Sequence, residues 1–415
     1  MSRINDLIKK MCPNGVKYKK VWEVTTWDKK YNAVDKSMQL RVEKYNYLLA
    51  NQLNEIIDPN GDVLILETGI NGEKKYTNVE LAGNNLCDSE IIAIPWGGTP
   101  NVKYFKGKFV TGDNRIAISN DTNLLNTKFL YYVFENRMSE ISGFYRGSGI
   151  KHPEMKKILL MDIPIPPIEV QEEIVKVLDK FGELEAELEA ELEARKSQYE
   201  FWRGKLFDFD DKVEYKRLDE LFPFIRNGFV GTVTPFFTEK ENGIRYLQGT
   251  NIHNGIISDN EEYYVTKEFH EKHIKNELKS DDILMVQSGH IGECAVVGEK
   301  YKGCNCHALI IMSRGENVSS KFIVHYFHTI RGYNSLNPAI TGGTIKHVLA
   351  GKIGKIKVPC PSLDVQEKIV NILDKFDKLT NDITVGLPAE IELRRQQYEY
   401  YRNKLLSFEE LSVSE

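Results

Sequence analysis

Cysteine is scarce here, six in 415 residues. That is too few for a disulfide framework in so long a chain, and the expectation is a reducing cytosol. Nowhere does the sequence approach the roughly 18 unbroken apolar residues of a membrane span. Its first residues, MSRINDLIKKMCPNG, lack the apolar core of a secretory signal. Phosphate-cradling loops are missing too: there is no G-x-x-x-x-G-K-[ST] and no G-x-G-x-x-G. An adenine methyltransferase is expected to carry Asn/Asp-Pro-Pro-aromatic to hold a flipped base. Asn337-Pro338-Ala339-Ile340 starts that way but lacks the second proline and the aromatic. No clustered carboxylates with a lysine stand out as a nuclease centre. Cys304-x-Cys306-His307, with Cys294 nearby, has zinc-ligand chemistry but no second pair at a usual spacing. His325 and His328 share a helix face without a third ligand and read as helix surface. The sequence therefore assigns no catalytic residue and no metal site.

What is present is a chain of ordinary globular composition, 41% hydrophobic and 28% charged, long enough for two or more domains. Its net charge of −5 is unevenly placed. Residues 169–193 hold ten acids (Glu169, Glu172, Glu173, Asp179 and alternate glutamates from Glu183 to Glu193) against Lys176 and Lys180. That stretch sums to −8, so the remainder of the chain carries +3.

The chain is also written twice. Val170-Gln171-Glu172, with Ile174, Val175, Leu178, Asp179, Lys180 and Phe181, returns as Val365-Gln366-Glu367, with Ile369, Val370, Leu373, Asp374, Lys375 and Phe376, 195 residues later. Arg195, Gln198, Tyr199, Glu200, Arg203, Lys205 and Leu206 return as Arg394, Gln397, Tyr398, Glu399, Arg402, Lys404 and Leu405, 199 residues later. Fainter echoes pair Tyr18-Lys19-Lys20 with Tyr215-Lys216-Arg217, Lys128-Phe129 with Lys321-Phe322, and Ile150-Lys151-His152 with Ile345-Lys346-His347. The order is globular domain, helix, globular domain, helix.

Val170, Ile174, Val177, Phe181 and Leu184 step by 4 and 3, as do Val365, Ile369, Ile372, Phe376 and Leu379. This is the spacing of a helix–helix seam. Prolines 164, 166 and 167 precede the first helix, and 359 and 361 the second, marking extended approaches. The first seam continues as ELEAELEAELEA, residues 183–194. A step of four residues turns about 400°, so Leu184, Leu188 and Leu192 drift only about 40° each and keep one face. Each repeat adds roughly 6 Å, and residues 170–206 would span about 54 Å if unbroken, on the order of sixteen base pairs of B-DNA. Many of the glutamates sit four apart with like charge, so partner packing must hold the helix. The second helix carries Val385-Gly386-Leu387-Pro388, which predicts a break near Gly386 with Pro388 opening a new helix.

With its doubled plan, IPIPPIEVQEEIVKVLDKF and CPSLDVQEKIVNILDKF, the tetrapeptide run, and RKSQYEFWRGKL and LPAEIELRRQQYEYYRNKL, the chain resembles the specificity subunits of type I restriction-modification systems. The likeness covers the whole chain, closest in the helices and weakest in the globular halves. It implies an α+β fold: two pseudo-repeated mixed α/β target-recognition domains, separated by two long spacer helices that form an antiparallel coiled coil. It sets target-recognition domain 1 at residues 1–166, spacer helix 1 at 167–209, target-recognition domain 2 at 210–361 and spacer helix 2 at 362–415. It implies a non-catalytic subunit that reads a bipartite site in double-stranded DNA and docks two methyltransferase subunits and restriction (translocase/nuclease) subunits. S-adenosylmethionine, ATP and Mg would be bound by those partners and no cofactor by this chain. The ELEA run would act as a ruler for the unread spacer, and residues 4–11 would fold beside the second helix. A coiled-coil protein–protein adaptor is the alternative.

The reading must then lie in the globular halves. Apolar runs of strand length follow Asp62 and Asp282, while residues 40–53 alternate imperfectly. Residues 127–136 and 320–329 read as helices with aromatic faces. With Asp62 set against Asp282, the insertions look unequal: 46 residues from Val16 against 69 from Val213, then 66 to Lys128 against 39 to Lys321. Phosphate contact and groove readout need cations, amides and hydroxyls. The candidates in the first half are Lys29, Lys30, Lys36, Arg41, Asn71, Lys74, Lys75, Trp96, Thr99, Lys103, Arg115, Arg146 and Lys151. In the second they are Arg226, Asn227, Thr232, Gln248, Asn251, Gln287, Ser288, His290, Thr344, Lys346 and His347. The glycines of GSGIKH and GGTIKH would let backbone amides approach a phosphate ahead of each helix. The plain alternative is that such lysines are solvated charges and that Trp96 caps a core.

Overall fold

The computed structural model describes residues 2–69, 73–209, 213–313, 315, 317–342 and 346–411. Two compact units divide the chain, Met1–Glu187 with Ile391–Glu415, and Leu188–Glu390. Each takes in a globular part together with stretches of both long helical regions, so the division falls within helices.

In the first unit a six-stranded sheet runs in the order Thr25–Trp27, Asn114–Ser119, Cys87–Pro95, Lys103–Thr111, Val63–Leu66, Lys75–Thr77. Every pairing is antiparallel except that of Val63–Leu66 with Lys103–Thr111. Alternate residues of its central strands enter separate cores. Ile92, Ile94 and Ala117 face the helix Thr127–Asn136 and the start of the long helix, while Ile91, Ala93 and Ile116 face a smaller cluster on the other side. A sheet covered on both faces explains why these strands read as unbroken apolar runs. Residues 40–53 form no strand: the chain is irregular before the short helix Ala50–Glu55.

The second unit has a four-stranded antiparallel sheet, Phe224–Asn227, Leu309–Ser313, Ile283–Val286, Cys294–Val296, and a three-stranded sheet of Tyr263–Thr266, Gly243–Leu247 and Asn305–Cys306. Ile283, Met285, Ile310 and Met312 face the helix side, and Leu284, Val286, Leu309 and Ile311 the other. This corrects the frame drawn from Asp62 and Asp282. The strand Ile283–Val286 corresponds by position and pairing to Cys87–Pro95, not to Val63–Leu66. Each sits next to the strand that leads into the buried helix, Asn114–Ser119 or Leu309–Ser313. With Ile92 set against Ile283, the segments become nearly equal, 76 against 70 residues before and 36 against 38 after. Apolar content is retained between the two strands while sequence is not, and the DVLIL and DILMV likeness is accidental.

The long helix Ile168–Leu206 is continuous through the ELEA repeats. Its first turns belong to the globular part. Gln171 is fully buried: its Oε1 accepts from the Asn126 amide at 2.9 Å, and its Nε2 donates to the Leu124 and Pro166 carbonyls at 2.8 Å. Gln366 repeats this with the Ser319 amide and the Pro361 carbonyl, both at 2.8 Å, and the Asn317 carbonyl at 3.5 Å. Two turns on, Asp179 takes Lys128 at 2.7 Å and Tyr132, and Asp374 takes Lys321 at 2.5 Å and His325 at 2.9 Å. The repeated Val-Gln-Glu and Leu-Asp-Lys-Phe words are thus anchors between each helix and its globular part.

The expected seam is split accordingly. Val170, Ile174 and Leu178, and likewise Ile369, Val370 and Leu373, are buried in the two globular cores. Val177 is half-buried, whereas Leu184, Val365, Ile372 and Leu379 remain 37 to 40% exposed. Leu188 and Leu192 are half-buried. The apolar positions face the globular part first, and helix–helix contact centres on the two phenylalanines. In the first unit Phe181 packs on Tyr398 and Tyr401 at ring distances of 6.3 and 5.5 Å, and Glu185 pairs with Arg395, so the helices there run antiparallel. In the second, Phe376 stacks on Tyr199 at 5.7 Å, the same contact with the two roles exchanged between the helices.

After Leu363–Asn381 the chain leaves helical geometry and re-enters it at Leu387–Leu406, with Pro388 in the first turn. Asp382 Oδ1 accepts from the amides of Thr384 and Val385. At Gly386 a Cβ would lie 2.6 Å from the Asp382 and Lys378 carbonyl oxygens, so only glycine fits. The helix Ser2–Met11 packs Ile4 into a core shared with Leu405 and Leu406. Val16 and Glu410 are bridged, with the Val16 amide donating to the Glu409 carbonyl at 2.9 Å.

Replacing Gln171 by Ala leaves three backbone groups, one of them buried and two part-buried, without this partner, and the loss should be about 2–4 kcal/mol in the first unit. Gln366→Ala should do the same in the second. Denaturant unfolding followed by hydrogen exchange in each unit checks this; an equal loss spread over both units would contradict separate anchors.

Candidate nucleic-acid interface

The repeated Ile-Lys-His words sit at corresponding places in the two units. In the first, Tyr145–Arg146 pairs with His152–Pro153 as a hairpin whose tip holds the glycines of GSGIKH. Gly147 has φ of +141° and a Cβ there would meet the Ile150 carbonyl oxygen at 2.6 Å. The glycines therefore serve the hairpin turn; they do not open the long helix, which begins later at Ile168. In the second, Ile340–Thr341 pairs with His347–Val348. Thr344 and Asn71 lie outside the described residues.

Each hairpin is fixed to the loop that follows the central strand. His152 Nδ1 lies 2.6 Å from the Trp96 carbonyl, and the Gly98 amide donates to the Lys151 carbonyl at 3.0 Å. His347 Nδ1 lies 2.8 Å from Ser288 Oγ, and the Val348 amide donates to the Gln287 carbonyl at 2.9 Å. Residues 96–99 and 287–290 are thereby equivalent loops, a consequence of the corrected strand alignment. His152 is absent from the candidate set although the Ile-Lys-His repeat marks it.

Around Trp96 the first unit gathers charge. Lys29 Nζ and the Arg115 guanidinium each lie 5.0 Å from its ring, and the His152 ring is 5.3 Å away. A concavity of about 580 Å³ is lined by Lys29, Lys30, Trp96, Lys156 and Lys157, among others. Trp96 is thus a half-buried platform, packed on the core by one side and open by another. Lys156 and Lys157 escaped the sequence reading, since nothing but their position in the fold marks them. Thr99 joins a second group: its carbonyl and that of Thr68 accept from Asn101, while Lys75 pairs with Glu67 at 2.9 Å and Lys103 donates to the Glu67 carbonyl. Burial pulls the Lys103 ammonium down to about 8, against the opposing pull of Glu67. Lys30, Lys36, Arg41 and Lys74 are exposed, and Arg146 pairs with Glu154 at 3.2 Å.

In the second unit the His290 ring meets His253 edge-on at 5.6 Å, and Ser288, His290 and Lys346 are exposed beside the hairpin. Thr232 is exposed, Gln287 and Gln248 half-buried. A Cβ at Gly249, beside Gln248, would lie 3.4 Å from Val286.

Three candidates turn out to serve the fold. Arg115 is 1% exposed and spends its amino groups on Asp28, at 2.8 Å, and Asp113. Asn251 is fully buried, its amide donating to the Ser258 and Glu261 carbonyls. Arg226 donates to Ser313 Oγ at 2.7 Å and leans on Asp282. None can turn outward without leaving a buried carboxylate or carbonyl unpaired. Asn227 is half-buried, and its Oδ1 has no partner among the described residues.

His325 and His328 are not helix surface. His325 is 5% exposed, with Nε2 2.9 Å from Asp374 and Nδ1 3.9 Å from Asp377. One ring nitrogen faces each carboxylate, within hydrogen-bond distance of Asp374 and at a longer ion-pair distance from Asp377. Burial works to raise the Asp374 carboxyl, but the bonds from His325 and Lys321 outweigh it and hold it below the usual range. His328 is pushed down to about 3 by burial. Cys294, Cys304 and Cys306 are buried, and burial raises all three thiols, Cys304 to about 11 and Cys306 to about 12.

A duplicated α+β scaffold, carrying in each half an exposed basic hairpin pinned to a central strand, is the class these features define. The sequence matches the family described as type I restriction modification DNA specificity domain twice, over residues 13–194 and 210–393, and the chain belongs to it. It is 33% identical to the specificity subunit of the Escherichia coli EcoR124I/EcoR124II type I restriction enzyme over 308 residues, covering 71% of this chain and 74% of that protein. A putative type I restriction enzyme specificity subunit of Haemophilus influenzae is 32% identical over 348 residues, 77% of this chain and 83% of that one. In fold, the chain is similar to the crystal structure of the S subunit of a type I restriction-modification system from M. genitalium, with a TM-score of 0.57 at 17% identity, covering 94% and 96% of the two chains.

Lys103 generates a pH prediction. Its folded value lies below the unfolded one, so the unfolded chain binds the extra proton between about pH 8 and 10.5, and stability rises with pH across that window. The stability advantage of Lys103→Met over wild type should therefore shrink by about 2 kcal/mol between pH 7.5 and 10. Urea unfolding at the two pH values measures it; a constant difference would show that Lys103 titrates normally.

Proposed function

We propose that this chain is the DNA-reading, non-catalytic subunit of a type I restriction-modification assembly. The observation that carries the reading is the double match to the DNA specificity family, one copy to each half of the chain. Each half presents a basic hairpin and an adjacent loop of different sequence, which suits two readers on one frame. Lys29, Lys30, Lys36, Arg41, Lys74, Lys75, Trp96, Thr99, Lys103, Arg146 and Lys151 supply contacts from the first unit. Thr232, Gln248, Gln287, Ser288, His290, Lys346 and His347 supply them from the second. Two methyltransferase subunits and restriction subunits dock on the chain and bring S-adenosylmethionine, ATP and Mg. Among the described residues no helix is long and apolar enough to cross a membrane. On this reading the assembly acts on DNA in the cytoplasm.

Under this reading ELEAELEAELEA sets the length of the unread spacer. Removing one repeat shortens the helix by about 6 Å and turns it about 40° while keeping the leucine face. Methylation sequencing of a host expressing the chain with its methyltransferase partner should show one split motif that requires this chain. Deleting residues 187–190 should change the spacer and leave both half-sites as they were. A changed half-site with the spacer intact would contradict the ruler. An absence of methylation, with both proteins soluble and bound together, would favour the adaptor.

A further inference from the structure

Most of the residues common to both halves are accounted for by anchoring. The glutamines are buried, the aspartates hold side chains of the buried helix in their own globular part, and the phenylalanines pack on tyrosines. Ile-Lys-His is different. Lys151 and Lys346 are exposed, and so is Ile150, at 69%. A repeated residue facing solvent in two otherwise divergent surfaces serves something that both surfaces meet. Two half-sites of different base sequence share one chemistry, the sugar–phosphate backbone.

Several nearby cations are held by internal ion pairs, whereas the two repeated lysines, like Lys29 and Lys30 beside Trp96, have none among the described residues. Near the first hairpin, Arg146 and Lys157 both pair with Glu154, and Lys75 pairs with Glu67. Among the described residues neither Lys151 nor Lys346 has an ion-pair partner. Each precedes a histidine whose Nδ1 is pinned to a strand-end loop, through the Trp96 carbonyl or the Ser288 hydroxyl. The main chain at the hairpin is bonded to the same loop. Close packing leaves little slack: a Cβ at Gly97 would meet Ile150 at 2.9 Å and the His152 ring at 3.2 Å. Each ammonium thus stands on a braced hairpin beside a loop that differs between the units, Trp96 and Thr99 in one, Gln287 and His290 in the other.

We infer that each hairpin is a phosphate clamp. Lys151 and Lys346 each hold one backbone phosphate of the half-site their unit meets, His152 and His347 act as positioning residues, and the neighbouring loops read bases. This rests on the DNA-reading assignment above.

The test uses the chain in complex with its methyltransferase partner, a duplex carrying the methylated motif and a duplex of unrelated sequence. Lys151→Ala and Lys346→Ala should each reduce the slope of log affinity against log salt by about 0.9, one phosphate contact. One counterion released into about 0.1 M salt corresponds to a loss of about eightfold, equal on the two duplexes. Lys151→Arg should keep the wild-type slope. His152→Ala, which leaves the ammonium in place, should lower the slope with Lys151→Ala adding little to it. The methylated sequence should not change in any variant. An unaltered slope in both alanine variants, a loss confined to the motif duplex, or a new methylated base would overturn the clamp. A wild-type complex with no salt slope on either duplex would overturn the DNA-reading assignment as well.

Discussion

A buried amide fixes each long helix to the globular part it leaves. The Gln171 and Gln366 side chains satisfy backbone groups on two sides at once, the extended approach to the long helix and the loop that opens the buried helix Thr127–Asn136 or Ser320–Phe327. Left without partners, those groups would cost more than the bonds contribute, so the helix direction is tightly specified at its first turn. Asp179 and Asp374 hold the same face two turns later. Everything beyond inherits that direction, including the phenylalanine–tyrosine contacts within each unit.

The same economy governs the sheets. Both faces of each central strand are covered, so the strands need only remain apolar and need not resemble one another. This is why SEIIAIP and DDILMV occupy one position in the frame, and why the loops that follow them are free to differ. The corrected alignment leaves segments of nearly equal length that fold differently around a shared central strand, a six-stranded sheet in one unit and four- and three-stranded sheets in the other.

The acidic helix is less exceptional than its charge suggests. Like-charged glutamates four apart repel, but Arg195 pairs with Glu191 and Lys196 with Glu193 at the end of the run. Glu185 pairs with Arg395. The negative charge is thereby drained at the ends, and the globular parts keep the cations that face outward.

Periodicity, the doubled words and the Gly386-Pro388 break were fully present in the sequence, because each depends on neighbours along one chain. Helix register needs only the spacing of Val170, Ile174 and Phe181. The Ile-Lys-His repeat likewise marks its lysines and histidines before any fold is known. Which face of the helix meets the globular core, and that Leu184, Ile372 and Leu379 stay half open, required the tertiary structure, since an apolar stripe does not name its partner. Arg115 and Arg226 look like any other exposed-loop arginines until Asp28 and Asp282 arrive from distant strands. Only three-dimensional packing brings together Lys29, Trp96, His152 and the lysines at 156 and 157, whose separations along the chain carry no period. Local spacing determines elements; contacts between residues tens of positions apart determine the site.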